Sequence, residues 1–186
     1  LMRLMADTVP DLIWAKDLDD SYLFANKAIC EKLLMCAPEE SPLGKNDLFF
    51  AQRERQRGHQ HTFGEICVNS DSIVKDKKAP GRFLEDGLVR GQYLVLDVHK
   101  APMFDELGNL IGTVGAGRDV TQDIATRDEL KRSEALYRLL ADNVRDVIWT
   151  TDDQLNITYT TPSIENLTGY TPDQLKTLST EQPLQP

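Results

Sequence analysis

Cysteine, long apolar runs and positive charge are all scarce in this sequence, and each shortage excludes a class of protein. The 186 residues include three cysteines, an odd number without a Cys-x-x-Cys pair, so a disulfide-stabilised fold is not expected. No apolar run approaches the roughly 20 residues that cross a bilayer, and no signal-peptide pattern opens the chain. We therefore expect a cytoplasmic location and no membrane contact by this segment.

The charge balance is acidic and argues against nucleic acid as a partner. Lysine and arginine total 21 against 30 acidic residues, which gives a net charge of −9. Such a surface repels phosphate backbones, and no basic cluster with interleaved aromatics offsets it. Hydrophobic residues still make up 40% of the chain, enough for the core of a domain of about 100–120 residues.

An internal repeat predicts the domain organisation. Residues 1–17 match residues 136–152 without gaps, and ten of the seventeen positions are identical. A unit that recurs after 135 residues is a domain and not a solenoid repeat. We therefore expect a fragment of a longer protein with four parts: a lead-in helix over 1–10, a complete domain over 11–121, a linker signalling helix over 122–141, and the truncated N-terminal part of a second domain over 142–186.

Residue periodicity and turn residues predict an α+β fold for the complete domain. Five strands are expected, over residues 11–17, 21–25, 82–86, 91–101 and 109–118. Three helices are expected between the second and third strands: one that begins after the capping residue Asn26, and two over 47–55 and 65–77. Within the last of these, Asn69-Ser70-Asp71 is a candidate interruption. This order predicts one antiparallel sheet with helices on one face.

Several motifs, taken in order, resemble the PAS family. They are FANKAI (24–29), GKNDLFF (44–50) and KAPMFDELGNLIGTVGAGRDVT (100–121), whose last three residues match the family's terminal D-[IV]-T motif. The resemblance covers residues 7–121 and, in part, the chain from 142 onward. It implies a PAS-like five-stranded antiparallel sheet with helices on one face, followed by a linker helix and a partial second copy.

The resemblance also implies a function. PAS domains are ligand-binding, dimerising sensor modules that usually precede histidine kinase or diguanylate cyclase outputs, as in two-component systems. The chain has no GGDEF-like stretch, P-loop or phosphoacceptor helix, so we expect a non-catalytic module that signals to a downstream output domain in the same chain. A ligand-free dimerisation scaffold is the main alternative. A small α+β enzyme is less favoured, because no acid–base pair stands beside a nucleophile or metal motif.

Flavin is not expected as a cofactor. In photosensory relatives a reactive cysteine follows the G-x-N motif, whereas Asp47 stands at that position in this chain. The family's two polar flavin contacts fall on Leu96 and Gly117, which have no polar side chain.

Haem and metal are not expected either. The helix over 65–77 lacks the axial histidine of haem-binding relatives. His59, His61 and Cys67 form at most a weak metal motif, since they include neither a carboxylate nor a Cys-x-x-Cys pair, and we interpret the histidines as part of a solvated loop. His99 alternates with polar residues and is expected to face outward.

A candidate pocket lies on the inward face of the sheet, by the family's strand parity. Its predicted lining is Trp14, Lys16, Phe24, Asp47, Phe49, Phe83, Leu94, Leu96 and Val98. Lys100 ends this face, and Glu85 is a further polar candidate. These residues either pack as a core or line a cavity for an unidentified small ligand. An aromatic wall such as Trp14, together with a few polar groups, favours the cavity.

The end of the complete domain is the predicted signal junction, formed by Asp119, Val120 and Thr121. Thr121 is expected to cap the linker helix through its hydroxyl group. From this helix onward Leu130, Tyr137 and Val144 recur at heptad spacing, a pattern that favours a homodimer through the linker. A simple surface helix is the alternative.

Overall fold

The computed structural model describes residues 1–143 and 146–181. The chain divides into two compact units, Leu1–Ile124 and Ala125–Pro186. Ten elements begin in the first unit: α1 (Met2–Thr8), β1 (Leu12–Lys16), β2 (Tyr22–Ala25), α2 (Lys27–Lys32), α3 (Asp47–Gln56), α4 (Phe63–Lys77), β3 (Gly81–Val89), β4 (Gln92–Phe104), β5 (Leu110–Asp119) and α5 (Thr121–Asn143). The second unit contains β6 (Trp149–Thr151), β7 (Ile157–Thr160), α6 (Ile164–Thr168) and α7 (Pro172–Glu181).

The five strands of the first unit form one antiparallel sheet in the order β2-β1-β5-β4-β3. α2 and α4 contact this sheet, and α3 packs on α4. The fully buried core includes Leu12, Phe50, Phe63, Leu96 and Val98. The predicted α+β architecture is therefore confirmed, with the core enclosed between the helices and the inner face of the sheet.

The helix α4 differs from its predicted form. It runs unbroken from Phe63 to Lys77, although Asn69-Ser70-Asp71 was expected to offer an interruption. Ser70 and Asp71 are buried, and both hydrogen-bond to side chains from other elements. Ser70 also donates back to the carbonyl oxygens of Ile66 and Cys67 within α4, at 3.3 and 3.0 Å, a local bond that the helix accommodates without ending.

Asn26 connects three elements, in addition to its predicted role as the cap of α2. Its Oδ1 accepts hydrogen bonds from the amides of Ile29 (3.2 Å) and Ile13 (3.0 Å). Its Nδ2 donates to the carbonyl oxygens of Ala6 and Asp11, both at 2.9 Å. The side chain is fully buried, so α1, the start of β1 and the start of α2 share one polar anchor.

The second unit repeats the first hairpin in structure as well as in sequence. Trp149 pairs with Thr160, as Trp14 pairs with Ala25, and both hairpins have an irregularity two residues further along. Thr161 Oγ1 accepts a hydrogen bond from the amide of Ile148 at 3.0 Å. This bond is equivalent to the one that Asn26 Oδ1 accepts from the amide of Ile13 in the first unit. The sequence repeat therefore corresponds to a repeated hairpin with the same anchoring bond.

Two predictions on the linker helix have different outcomes. A continuous helix is present, as α5. Val144, the last residue of the expected heptad seam, lies outside the described residues.

None of the helices in the ranges 1–143 and 146–181 combines the length and the apolar character that a membrane span needs.

Candidate functional site

Five ionisable side chains meet beneath the sheet of the first unit, each at most 4% exposed. They come from five different elements, β1, α3, α4, β3 and β4: Lys16, Asp47, Asp71, Glu85 and Lys100. Charged side chains are rarely buried to this extent unless they are paired, because the interior solvates charge poorly. We call these five residues the ion cluster, and they are the candidate site of this unit.

Local structure explains how α3 places its carboxylate in the cluster. Asn46 caps the helix by accepting the amide of Phe49 at 2.9 Å, so Asp47 is the first helical residue. The side chain of Asp47 is buried at this helix N-terminus, where the helix dipole favours negative charge.

Lys16 joins the two carboxylates that come from the helices. Its Nζ contacts Asp47 directly and lies 2.6 Å from Asp71 Oδ2. Burial alone would lower the pKa of Lys16, but Asp47 and Asp71 outweigh it and hold that pKa above its ordinary value. The hydroxyl of Tyr22 donates to Asp47 Oδ1 at 2.5 Å, and burial beside this carboxylate raises the pKa of Tyr22. Lys16 is therefore charged, and Tyr22 is a neutral donor.

Lys100 forms the other half of the cluster. Its Nζ lies 2.8 Å from Asp71 Oδ1 and 3.2 Å from Glu85 Oε1. It also donates to Ser70 Oγ at 2.6 Å and to the carbonyl oxygen of Cys67 at 3.2 Å. Burial by itself would lower the pKa of Lys100, but Cys67, Asp71 and Glu85 raise it.

Asp71 bridges the two lysines through its two carboxylate oxygens. Burial alone would raise its pKa, yet Lys16 and Lys100 lower that pKa below its ordinary value. The cluster therefore sets two ammonium groups against three carboxyl groups in a region that excludes water. This arrangement holds charge at fixed positions without exposing it.

Two unpaired polar atoms lie on the same sheet face as the lysines. Within the described part of the chain, Trp14 Nε1 and Thr113 Oγ1 are buried and have no hydrogen-bond partner. In the sheet register Gly115 lies between Trp14 and Lys100, and Thr113 lies opposite Lys16. Leaving a buried donor unpaired costs about 1–3 kcal/mol, so both groups can gain from an added acceptor.

Most of the predicted pocket residues lie around the ion cluster. Six of them, from β1, α3 and β4, are buried: Trp14, Lys16, Asp47, Leu94, Leu96 and Val98. Phe83 is partly buried and pairs with Val98 across the sheet.

Phe24 and Phe49 are not brought into this site. Phe24 pairs with Ala15, so it lies on the sheet face opposite to that of Trp14 and Lys16. Phe49 is 43% exposed, and its neighbour Phe50 fills the core position. The buried residues of α3 recur at helical spacing from Asp47, and this spacing selects Phe50 rather than Phe49.

Asp71, Ser70 and Tyr22 are site residues that the sequence did not reveal. A signal for Asp71 was present, because it falls on the buried stripe of α4 that also contains Phe63, Cys67 and Val74. A carboxylate on an apolar stripe requires a buried cationic partner, and a search for lysines on inward strand positions finds Lys16 and Lys100.

One of the three histidines is buried, and the other two, His59 and His99, are exposed. His99 is exposed, as expected for its strand face, whereas His61 is buried and does not belong to a solvated loop. Burial lowers the pKa of His61, so it is neutral at physiological pH. Over residues 1–143 and 146–181, no group of three or more His, Cys, Asp or Glu side chains could hold a metal ion.

The predicted signal junction is tied to β4. The amide of Val120 donates to the Val95 carbonyl oxygen and the amide of Val95 donates to Thr121 Oγ1, both at 2.9 Å. Asp119 Oδ1 accepts from the amide and the hydroxyl of Thr121, at 3.1 and 2.7 Å. The Thr121 hydroxyl, predicted as the cap of this helix, accepts from β4, and the Asp119 carboxylate binds the helix start.

The indole of Trp14 requires a glycine beneath it. A Cβ atom at Gly115 would lie 2.4 Å from Trp14 Cζ2, whereas one at Gly117 would come no nearer than 3.4 Å, to Val98 Cγ2. We expect Gly115→Ala to lower the free energy of unfolding by about 1–3 kcal/mol, because the ring must move. Gly117→Ala on the same strand face is the matched control, with an expected loss below about 1 kcal/mol. Equal losses in urea unfolding would contradict the close contact.

Several solved structures are similar to this chain. The PAS domain of BvgS from Bordetella pertussis is 19% identical, and the alignment covers 72% of this chain and 95% of that domain with a TM-score of 0.44. A PAS domain from Colwellia psychrerythraea is 20% identical, with 64% and 93% covered and a TM-score of 0.48. An RNA-binding light-oxygen-voltage receptor is 18% identical, with 73% of this chain and 36% of that one covered and a TM-score of 0.51. None of the curated protein sequences is similar to this chain.

Family sequence models match both parts of the chain. The model described as PAS fold matches residues 6–125, and the one described as PAS domain matches residues 135–185. The first match spans more than half of the chain and includes the whole five-stranded sheet and its ion cluster. The chain belongs to the PAS family and carries a PAS sensory module.

Proposed function

We propose that the first unit binds a small polar molecule at the ion cluster and relays its presence through α5 to a downstream output domain. The observation that carries this proposal is the burial of five ionisable side chains in the interior of a sensory module. We propose neither flavin nor haem as the ligand, so the purified protein should be colourless.

Stability does not account for the cluster. Replacing a buried ion network by apolar side chains of similar volume is often neutral or stabilising, so a domain that needs only a core has no use for one. A ligand with a hydrogen-bond acceptor would meet two unsatisfied polar groups, Trp14 Nε1 and Thr113 Oγ1. The cluster has three carboxyl groups and two ammonium groups. The additional carboxyl group favours a ligand that also carries a cationic or donor group.

The contacts between β4 and the start of α5 support the proposed relay. Lys100 and Val95 both belong to β4, and Val95 exchanges hydrogen bonds with Val120 and Thr121 at the start of α5. A ligand that binds better with one position of this junction than with another shifts the population of helix positions.

Association of two copies through α5 is part of the proposal. This helix exposes several large apolar side chains, among them Leu130, Leu136, Tyr137 and Leu140. Pairing two such helices would bury this surface and place the two relays side by side.

The ligand itself can be sought by native mass spectrometry of the chain as purified, followed by identification of small molecules released on denaturation. We expect a bound species in wild-type protein. Trp14→Phe, which removes the indole N–H and keeps an aromatic ring, should lower its occupancy severalfold. Trp149→Phe in the second unit is the matched control and should keep it. A chain that is empty after expression in several media would favour the ligand-free scaffold, and a flavin or haem absorbance band would contradict the proposed ligand class.

The junction gives a second test, by amide hydrogen exchange. Thr121→Val removes the acceptor of the Val95 amide while preserving side-chain shape, and such a bond is worth about 1 kcal/mol. We expect exchange at the start of α5 to accelerate about fivefold, with little change in the rest of the sheet. Thr8→Val, at an exposed threonine of α1, is the control. Unchanged exchange at the start of α5 would show that this bond does not hold the helix.

A further inference from the structure

Two of the three cysteines lie together at the end of α2, away from the ion cluster. Cys30 belongs to α2, Cys36 lies in the loop that follows, and both are partly exposed. They line one cleft of about 640 Å³, together with residues of α1 and of the loop 37–42. Cys67, by contrast, is buried beside the cluster.

The backbone brings these two cysteines within disulfide distance. Met35 has a left-handed conformation, with φ of +53°, and turns the chain back over α2. The amide of Cys36 then donates to the Cys30 carbonyl oxygen at 2.9 Å. With standard bond lengths, this contact keeps the two Cα atoms within roughly 6.8 Å of each other. Disulfides span Cα separations of about 4.4–6.8 Å, so a bond can form here without a large backbone movement.

The two thiols have different acidities. A hydrogen bond from the Cys36 thiol lowers the pKa of Cys30, and Arg3 of α1 acts in the same direction against the opposing effect of burial. The same hydrogen bond, together with burial, raises the pKa of Cys36. Cys30 therefore has the greater thiolate character, which is the property that makes a cysteine nucleophilic.

We infer that Cys30 and Cys36 form a thiol modification site that hydroperoxides convert reversibly to an intramolecular disulfide. The Cys30 thiolate attacks the terminal peroxide oxygen, so that an S–O bond forms and the O–O bond breaks. Hydroxide leaves from hydrogen peroxide, and an alkoxide leaves from an organic hydroperoxide. The Cys36 sulfur then attacks the sulfur of the Cys30 sulfenic acid, so that the S–S bond forms and the S–O bond breaks. The Cys36 proton leaves with the oxygen as water. Two thiols are oxidised and one peroxide is reduced, and a dithiol reductant restores the starting state.

Oxidation at this position would act on the loop rather than on the sheet. The disulfide would close the segment from Cys30 to Cys36, whose carbonyl oxygens at Leu34 and Met35 accept hydrogen bonds from Arg53. Arg53 in turn binds Glu40 and Glu54, so the oxidised loop would be held against α3. The site is independent of the ligand proposed for the ion cluster.

Peptide mapping of the whole chain tests the inference. After treatment with hydrogen peroxide we expect a Cys30–Cys36 linked peptide in non-reducing mass spectrometry, which dithiothreitol removes. With a limiting alkylating agent at neutral pH, Cys30 should react at least about tenfold faster than Cys36, and Cys67 should stay unmodified in the folded protein. In Cys36→Ser a sulfenic acid should persist on Cys30, where dimedone traps it.

Three outcomes would overturn the site. In the first, oxidation links Cys30 and Cys36 only between different chains. In the second, Cys67 is alkylated as fast as Cys30. In the third, dimedone labels no cysteine of the Cys36→Ser protein. Circular dichroism of Cys36→Ser confirms that the variant is folded before labelling, and peptide mapping of the wild-type chain needs no variant at all.

Discussion

We expect Lys16→Met to lower the free energy of unfolding of the first unit by about 3–5 kcal/mol, the cost of removing one partner from a buried ion network. Methionine fills much of the space but carries no charge. Asp47 and Asp71 would then face each other in the interior, and Lys100 would be the cluster's remaining cation. Neither carboxylate can reach water without opening the core, so the native state bears the full penalty.

Urea denaturation of wild-type and variant chains measures this loss directly. Lys27→Met is the matched control, because Lys27 pairs with Glu31 at 3.7 Å on the surface, where both side chains are more than 60% exposed. Solvent screens such a pair, and the expected loss is below about 1 kcal/mol. If Lys16→Met costs no more than Lys27→Met, the ion cluster does not exist in the folded protein as described.

The stability of the first unit should fall at both ends of the pH range. The folded-state pKa of Asp71 is lowered, so its contribution is present above the unfolded value of about 3.9 and is lost as pH falls through the folded pKa. The pKa values of Lys16 and Lys100 are raised, so their contributions are complete below about 10.4 and are lost as pH rises through the folded values. The contributions of these three groups should therefore be complete together between about pH 5 and pH 10.

Unfolding by urea at a series of pH values measures both limbs. The pKa of Glu54, which Arg90 and Arg53 bind, is also lowered, so Asp71→Asn should reduce the acid limb and not abolish it. Asp76→Asn, at an exposed position of α4, should leave the acid limb as in the wild type. An acid limb that is equally steep in the wild type and in Asp71→Asn would contradict the assignment of this limb to Asp71.

Several features that depend on neighbours in the sequence were predicted from the sequence alone. The Asn26 cap uses an amide three residues away, and the strands follow from residue type and turn position. The repeat of 135 residues predicted a second hairpin, and the bond of Thr161 to Ile148 reproduces that of Asn26 to Ile13. The family motifs between residues 24 and 121 predicted the sheet that the structure shows.

The ion cluster was decided by tertiary structure, because its members are distant in the chain. Lys16 and Asp71 are 55 residues apart, and the pocket predicted from the sequence included Lys16 but not Asp71. The choice between Phe49 and Phe50 likewise depends on the face of α3 that α4 and the sheet cover. Local sequence determines where a helix begins and which residues share a stripe. The packing of five separate elements determines that the stripe is buried, and burial turns five scattered charged residues into one paired site.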